Sequence, residues 1–298
     1  MIRLLISLSI SASTCLSAPV DPVKLATVKD DDIDECSGIA ASYLNPNCLW
    51  MHNDSGDKAN LFLVSLETGR TRAILRVKGA DNYDWEDMCS FVLDGKPWLL
   101  VGDVGDNSRR RGKGKADPCR LYLIHEPEIE EDDKQQKLER PIRARIEFKY
   151  EDGRFDCEGI AVDTERKEIL LVTKELNAQC GLYSIPLEMG TYRQSHTARR
   201  IASPFIPLAT AMDIAPNNRE MFIGTMINGY RVSRKQGESW ADAVKRPATP
   251  IKLPPRRQGE SACFDRRRNW VYVNSEFKEQ PLWRVEFPLP KNLKENEK

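Results

Sequence analysis

A short phrase recurs along this chain about every fifty residues, which restricts it to folds built from repeated units. It reads Cys36-Ser37-Gly38-Ile39, Trp85-Glu86-Asp87-Met88, Cys157-Glu158-Gly159-Ile160, Ala211-Met212-Asp213-Ile214 and Gly259-Glu260-Ser261-Ala262. After each copy come a turn, an apolar run, a polar cluster and a second apolar run, the order of strands in one blade of a β-propeller. Only the interval from Glu86 to Glu158 is clearly enlarged, so the second unit carries an insertion.

The strands can be followed unit by unit. A run able to fill a buried second strand stands at 49–51, 98–101, 169–172, 221–223 and 270–273. Third strands follow at 61–66, 121–124, 182–185, 229–232 and 282–287, and outer strands at 72–77, 143–148, 198–202 and 249–253. The fifth unit lacks an outer strand, yet an unassigned strand-like run, 23–28, precedes the first unit. Placing that run beside the last unit leaves no open sheet edge between first and last blades. The predicted fold is therefore all-β: a five-bladed β-propeller, its ring closed by an N-terminal strand joining the last blade.

Composition agrees with one compact domain. The 298 residues are 40% hydrophobic and 30% charged, enough for a sizeable core, and no long segment of helical period separates the strands. Basic and acidic residues balance at 45 each, so no nucleic-acid partner is expected. Residues 1–18 read as a secretory signal peptide: Arg3, an apolar stretch at 4–10, then small residues through Ala18. That stretch is too short to span a bilayer, so no transmembrane segment is expected, and Thr14 is a poor neighbour for a lipidated Cys15. The expected domains are the signal, a single propeller at 19–290 and a charged tail at 291–298, in a monomer that is secreted or periplasmic. Seven of the eight cysteines lie beyond the signal, an odd number. Cys119 and Cys180 stand just before the third strands of adjacent blades, where a disulfide would fit, and buried thiols throughout are the alternative.

The first strand of every propeller blade lines the central channel, so equivalent positions form a ring around the axis. Here these are Ser37, Glu86, Glu158, Met212 and Glu260. Three converging carboxylates repel one another unless a cation or protons neutralise them. Oxygen ligands without histidine or thiolate suit a hard ion, and a wide, flexible ring suits Ca²⁺ better than Mg²⁺. Ser37, Glu86, Glu158 and Glu260 are thus the candidate metal ligands, with Asp84 and Asp156 behind them. The alternative is that these glutamates pair with arginines or accept amide hydrogen bonds from adjacent blades.

The ends of the second strands share a rim with this ring, and they are polar: His52-Asn53-Asp54-Ser55-Gly56-Asp57, Gly102-Asp103-Val104-Gly105-Asp106-Asn107, Thr173-Lys174-Glu175, Thr225 to Asn228, and Asn274-Ser275-Glu276. His52, Asp54 and Asp103 are the candidate catalytic residues. Asp57, Asp106, Asn107, Arg109, Lys174, Asn228 and Asn274 are the candidate substrate contacts. Ordinary turns use the same Asx residues to satisfy local amides, which is the competing explanation. The basic run 108–115 beside an acidic mouth would draw in an anionic small molecule. The acidic stretch 126–139 reads as a surface excursion on the opposite rim.

The ring of Ser37, Glu86, Glu158 and Glu260, with Glu260-Ser261-Ala262-Cys263 in the last unit, resembles the calcium-activated apyrases. Those are five-bladed propellers that hydrolyse nucleoside di- and triphosphates with an axial calcium. Asp156-Cys157-Glu158-Gly159-Ile160-Ala161-Val162-Asp163, followed by Val172-Thr173-Lys174-Glu175, is similar to the Glu-Gly motifs of the secreted propeller family described as having esterase-like activity of phytase. Met212 departs from the apyrase ring, where a polar ligand is expected. The His52 to Asp57 phrase matches no known apyrase nucleotide-binding motif. The leading expectation, from the ring, the mouth and the resemblance together, is an exported, calcium-dependent hydrolase of a phosphate anhydride or ester. In it Glu86, Glu158 and Glu260 hold the ion, and Asp54 or His52, if within hydrogen-bond reach of the attacking water, serves as general base. No Gly-x-Ser-x-Gly phrase is present, which disfavours a serine hydrolase. The competing expectation is a non-catalytic propeller that binds a glycan, peptide or protein around a structural calcium.

Overall fold

The computed structural model describes residues 21–287, apart from 114–116, 133 and 178. The expected signal peptide, its cleavage point and the charged tail at 291–298 therefore lie outside the described residues, as do Gly114 and Lys115 of the basic run. Among the described residues no helix is long and apolar enough to cross a membrane.

The described chain is all-β, and its strands fall into antiparallel groups of four. β1 (Val23–Thr27) precedes a first group made of β2 (Cys36–Ala41), β3 (Cys48–Asn53), β4 (Asn60–Ser65) and β5 (Thr71–Lys78). The second contains β6 (Trp85–Leu93), β7 (Lys96–Asp103) and β8 (Cys119–His125); the chain then leaves it for β9 (Gln136–Pro141) and returns as β10 (Ala144–Tyr150). The third runs β11 (Cys157–Asp163), β12 (Glu168–Thr173), β13 (Leu182–Pro186) and β14 (Arg193–Ala202). The fourth runs β15 (Ala209–Ile214), β16 (Glu220–Thr225) and β17 (Gly229–Ser233), then a short helix α1 (Trp240–Ala243), then β18 (Thr249–Ile251). The last comprises β19 (Ser261–Phe264), β20 (Trp270–Asn274) and β21 (Pro281–Glu286). β1 pairs antiparallel with β21, Val23 opposite Arg284 and Thr27 opposite Pro281.

Packing between the groups explains why β2 and β3 are buried at every position while the outer β5 alternates buried and exposed residues. Strands covered on both faces read as continuous apolar runs. Leu99 and Val101 of β7 turn towards the first group and pack with Trp50, Leu61 and Leu63. Leu100, between them, turns the other way to meet Ile160 and Leu171. Similar seams join the third group to the fourth, through Leu170, Val172, Met212 and Ile223. Phe222 meets Phe264 and Val273 between the fourth and the last, and Cys263 and Leu282 meet Ile39 and Phe62 between the last and the first. Each fully buried Leu or Phe contributes roughly 1.5–3 kcal/mol, so these seams carry most of the stability. The first strands lie against one another in the order β2, β6, β11, β15, β19 and back to β2.

Two outer strands, β5 and β10, are covered by further strands, which removes those edges as pairing sites. β9 adds in parallel to β5, and the first half of β14 adds in parallel to β10. The second contact merges two groups into an eight-stranded sheet whose ends, β6 and β11, lie side by side. The arrangement is propeller-like.

Two expectations fail here. The acidic stretch 126–139 is not simply a surface excursion: it supplies much of β9, and Glu126 is buried. The Glu126 carboxylate accepts hydrogen bonds from the Ser42 hydroxyl, from Trp50 Nε1 at 2.9 Å and from the Tyr43 N–H at 3.1 Å. Nor does Cys119 bond to Cys180; all seven described cysteines are buried free thiols. The Sγ of Cys119, at the start of β8, faces the Val104 carbonyl, and that of Cys180 faces the Pro204 carbonyl.

Candidate metal centre

In four first strands the pairing with the second strand slips at the ring position: at Ser37, Glu86, Glu158 and Thr210. A bulge of this kind frees one residue from the ladder and re-aims its side chain, and bulges concentrate next to functional sites. The fourth ring position is therefore Thr210, not Met212. A two-residue offset keeps the same face of a strand, so alternation could not reveal the error. Met212 is buried in the seam between the third and fourth groups, and its N–H donates to Asp87 at 3.2 Å.

The two hydroxyl-bearing ring positions brace their neighbours. Ser37 Oγ donates to the Glu86 carbonyl at 2.5 Å and lies 3.2 Å from Glu86 Oε2, while Thr210 Oγ1 donates to the Gly259 carbonyl at 2.8 Å. The glutamates of the other three face the channel, with Glu86, Glu158 and Glu260 all buried. Asp156 joins them directly: Glu86, Asp156 and Glu158 each offer a carboxylate oxygen, and these lie within 4.8 Å of one another. Asp156 is oriented by the Asp106 N–H, which donates to its Oδ1 at 2.6 Å. Lys174 Nζ stands 3.1 Å from Glu158 Oε1 and 3.9 Å from Glu260 Oε1.

Burial and mutual repulsion dominate the electrostatics. Burial, then the charges of Glu158, Asp54, Asp84 and Asp156, push Glu86 well above the usual carboxylate range. Burial also raises Glu158 and Glu260, with Lys174 opposing in both. Asp54 is raised to about 6 by burial, against the Ser55 amide and helped by Glu35 and Glu260. Asp84 rises to about 7 through burial and Asp54, and Glu276 to about 7 through burial and Glu260. Concentrated buried carboxylates of this kind are neutralised either by protons or by a cation, and an all-oxygen donor set suits Ca²⁺.

Beyond the carboxylates the channel is plugged. Asp87 accepts hydrogen bonds from the N–H groups of Met88, Ile160 and Met212, tying β6, β11 and β15 together. Further along, Arg266 donates to Asp213 Oδ2 at 2.6 Å, to Ser90 Oγ at 2.9 Å and to the Ile214 carbonyl at 3.3 Å. Ser90 Oγ in turn donates to the Ala41 carbonyl of β2.

The candidate catalytic residues separate. Asp54 is half-buried, and its charge interacts with Glu86, Asp84 and Glu260. His52 is fully buried, edge-on to Trp85, with Nδ1 3.0 Å from the Asn53 carbonyl and Nε2 against Gly38, where a Cβ would collide with it. Burial lowers its pKa to about 4, so the ring is neutral at pH 7. Asp103 is fully buried and holds Arg111 Nη2 at 2.5 Å and the Asp84 N–H at 3.0 Å.

Most candidate substrate contacts serve the loops. Asp57 accepts from Asn53 and the Lys58 N–H; Asp106 accepts from the N–H groups of Arg110 and Arg111; Asn274 is buried and donates to the Pro281 carbonyl. Asn107 and Asn228 are exposed. Arg109 sits 3.5 Å from Glu175, and Lys174 belongs to the carboxylate cluster itself.

Sequence reasoning missed Thr210, Arg111 and Arg256. Thr210-Ala211-Met212 parallels Ser37-Gly38-Ile39 in hydroxyl, small and apolar residues, which was a usable signal. Arg111, inside the basic run, folds inward to 7% exposure, with Nε donating to the Gly105 carbonyl and the guanidinium over the Tyr83 ring. Arg256 donates to the Thr225 carbonyl at 3.1 Å; burial lowers its pKa to about 10, with Glu260 opposing. Nothing in the sequence marked it.

No protein-family model matches the sequence, and no curated protein matches it. Solved structures with a similar backbone include a gluconolactonase from Xanthomonas campestris, at 10% identity and a TM-score of 0.46, covering 90% of this chain and 89% of that one. A glucose dehydrogenase shows 10% identity and a TM-score of 0.49, covering 89% and 99%. A protein of unknown function from Bacteroides thetaiotaomicron shows 7% and 0.45, covering 89% and 75%. At such identities the chemistry of the mouth must be read from its own residues.

Proposed function

We propose that this protein is an exported five-bladed β-propeller, its ring closed by β1, that holds calcium at the mouth of its channel and hydrolyses a phosphate anhydride or ester. The ring is supported by the pairing of β1 with β21 and by the return of the first strands from β19 to β2. Export rests on the character of residues 1–18. The observation that carries the function is the buried trio Glu86, Asp156 and Glu158, its oxygens within 4.8 Å of one another above a plugged channel. The resemblance of the ring glutamates to those of calcium-activated apyrases, and of the Glu158 motif to the phytase-like esterase propellers, favours phosphate chemistry.

Glu86, Asp156 and Glu158 would hold the ion, with Glu260 beside them. When bound, calcium supplies Lewis acidity towards a phosphoryl oxygen and a more acidic water. Asp54, its pKa raised to about 6, is the general base: near neutral pH it is ionised yet basic enough to take a proton. His52 is assigned a packing role, since it is fully buried. Lys174 keeps its charge because Glu158 and Glu260 outweigh its burial, and it offsets negative charge developing at the mouth. Arg109, at the rim, is the candidate contact for an anionic substrate.

One observation favours a second reading, a non-catalytic propeller binding a glycan, peptide or protein around a structural calcium. Leu176, Ile227 and Tyr83, next to strand ends on the mouth side, are 91%, 76% and 60% exposed. Phosphate release from nucleotides, pyrophosphate, inositol phosphates and simple phosphate esters, with calcium and with chelator, separates the two. Calcium-dependent release from any of them supports the hydrolase; silence across the panel with calcium bound supports the binder.

A further inference from the structure

We propose that the mouth seats two hard divalent cations, the second between Asp54, Asp84 and Glu86, sharing Glu86 with the first. The proposal rests on the reading that Glu86, Asp156 and Glu158 hold calcium, extends it to a pair of ions, and makes Asp54 a ligand in place of its role as general base. Carboxylate oxygens of Asp54, Asp84 and Glu86 lie within 4.8 Å of one another, a spacing equivalent to that of the first trio.

An independent observation points into this second space. Glu86 is 5% exposed, and while its Oε2 accepts the Ser37 hydroxyl, no hydrogen bond reaches Oε1 among the described residues. That unpartnered oxygen faces Asp84 across Gly105. A Cβ on Gly105 would collide with Glu86 Oε1 and lie 2.7 Å from Cγ and Oδ2 of Asp84. The absent side chain therefore leaves open the space where the two carboxylates approach.

Asp84 is held in place by its backbone. Its N–H donates to Asp103 Oδ1 at 3.0 Å, and its carbonyl accepts from the N–H groups of Val104 at 3.1 Å and Gly105 at 3.2 Å. Its carboxylate accepts no hydrogen bond among the described residues. Arg111 is committed to Asp103 and to the Gly105 and Pro118 carbonyls.

Charge balance also calls for more than one ion. The mouth gathers Asp54, Asp84, Glu86, Asp156, Glu158, Glu260 and Glu276, and the basic side chains acting on them are Lys174, Arg256 and Arg111, the last already paired with Asp103. With every group ionised, five negative charges remain, more than one divalent cation balances. Paired ions that share a carboxylate usually lie about 3.5–4 Å apart and hold both oxygens of an in-line displacement, which suits a phosphoryl substrate. Oxygen-only ligands and partial exposure at Asp54 and Asp84 fit calcium better than a transition metal.

Calcium stoichiometry of the full chain, measured by equilibrium dialysis and isothermal titration, tests this. Two ions per chain are expected, falling to one in Asp84→Asn and to one in Asp54→Asn. Circular dichroism identifies any variant that fails to fold, and the other variant then decides. One ion in the wild type, or two retained in both folded variants, overturns the second seat and leaves the first. No bound calcium overturns both.

Discussion

Raising the pH of the metal-free protein from about 4.5 to about 8 should destabilise it, the reverse of ordinary acid denaturation. Asp54, Asp84 and Glu276 have pKa values raised to about 6, about 7 and about 7, from ordinary values of 3.8, 3.8 and 4.5. Between about pH 4 and about pH 7 the native state thus holds protons that the unfolded chain has lost, so stability falls as pH rises through that window. A full pKa step is worth ~1.4 kcal/mol, which gives about 3 kcal/mol for Asp54. Asp84 and Glu276 face solvent in part, and screening reduces each to about 2 kcal/mol. Since Asp54 repels both of the others, some repulsion is counted twice, leaving about 4 kcal/mol in total. At 2–4 °C per kcal/mol for a domain of this size, Tm should drop by roughly 10 °C. Burial raises Glu86 and Glu158 as well, so they act in the same direction. Differential scanning calorimetry in chelator measures the slope, and saturating calcium should abolish it, because the ion replaces the protons. A Tm that holds level or climbs across this range without metal would refute the reasoning.

Other consequences follow from named contacts. Gly105→Ala should weaken calcium binding by tenfold or more and cost about 1–3 kcal/mol through overpacking, since the added Cβ collides with Glu86 Oε1; unchanged affinity would argue against the placement of Glu86. Arg234→Met should cost about 3–5 kcal/mol by stranding Asp163, buried between Arg234 Nη1 at 2.5 Å and Trp240 Nε1 at 3.0 Å, yet leave calcium binding intact. Deleting residues 23–27 should expose the edge of β21 and produce a lower Tm with concentration-dependent association, visible by light scattering. A deletion variant that matches the wild type in both would remove β1 from the ring.

The strand order was legible because each group repeats one grammar: a ring residue, a buried run ending in polar residues, and a β-rich third strand. Leu49, Leu99, Leu170 and Ile223 all sit in the seams expected of second strands. What alternation cannot show is a bulge. The slip at Glu86 and Glu158 turns those side chains out of the ladder, and Asp84 and Asp156, two residues earlier, then reach the same space. The same blindness displaced the fourth ring position from Thr210 to Met212. Composition misled at Glu126 and Arg111, where one charged residue leaves a polar run to bury itself against specific donors or acceptors. His52 shows the converse: a polar residue ending a strand can finish inside the seam, beneath the mouth it seemed to line.

Glu158 joins Asp156 and Glu86 in the proposed ion seat and pairs with Lys174, so Glu158→Gln keeps the shape while removing the charge. Bound calcium and phosphate release should be measured on the same preparation of that variant, against wild type, with the best substrate of the phosphate panel. Loss of turnover together with loss of one bound calcium is the expected result; full turnover with calcium still bound at the wild-type level would contradict a catalytic ion held by these carboxylates.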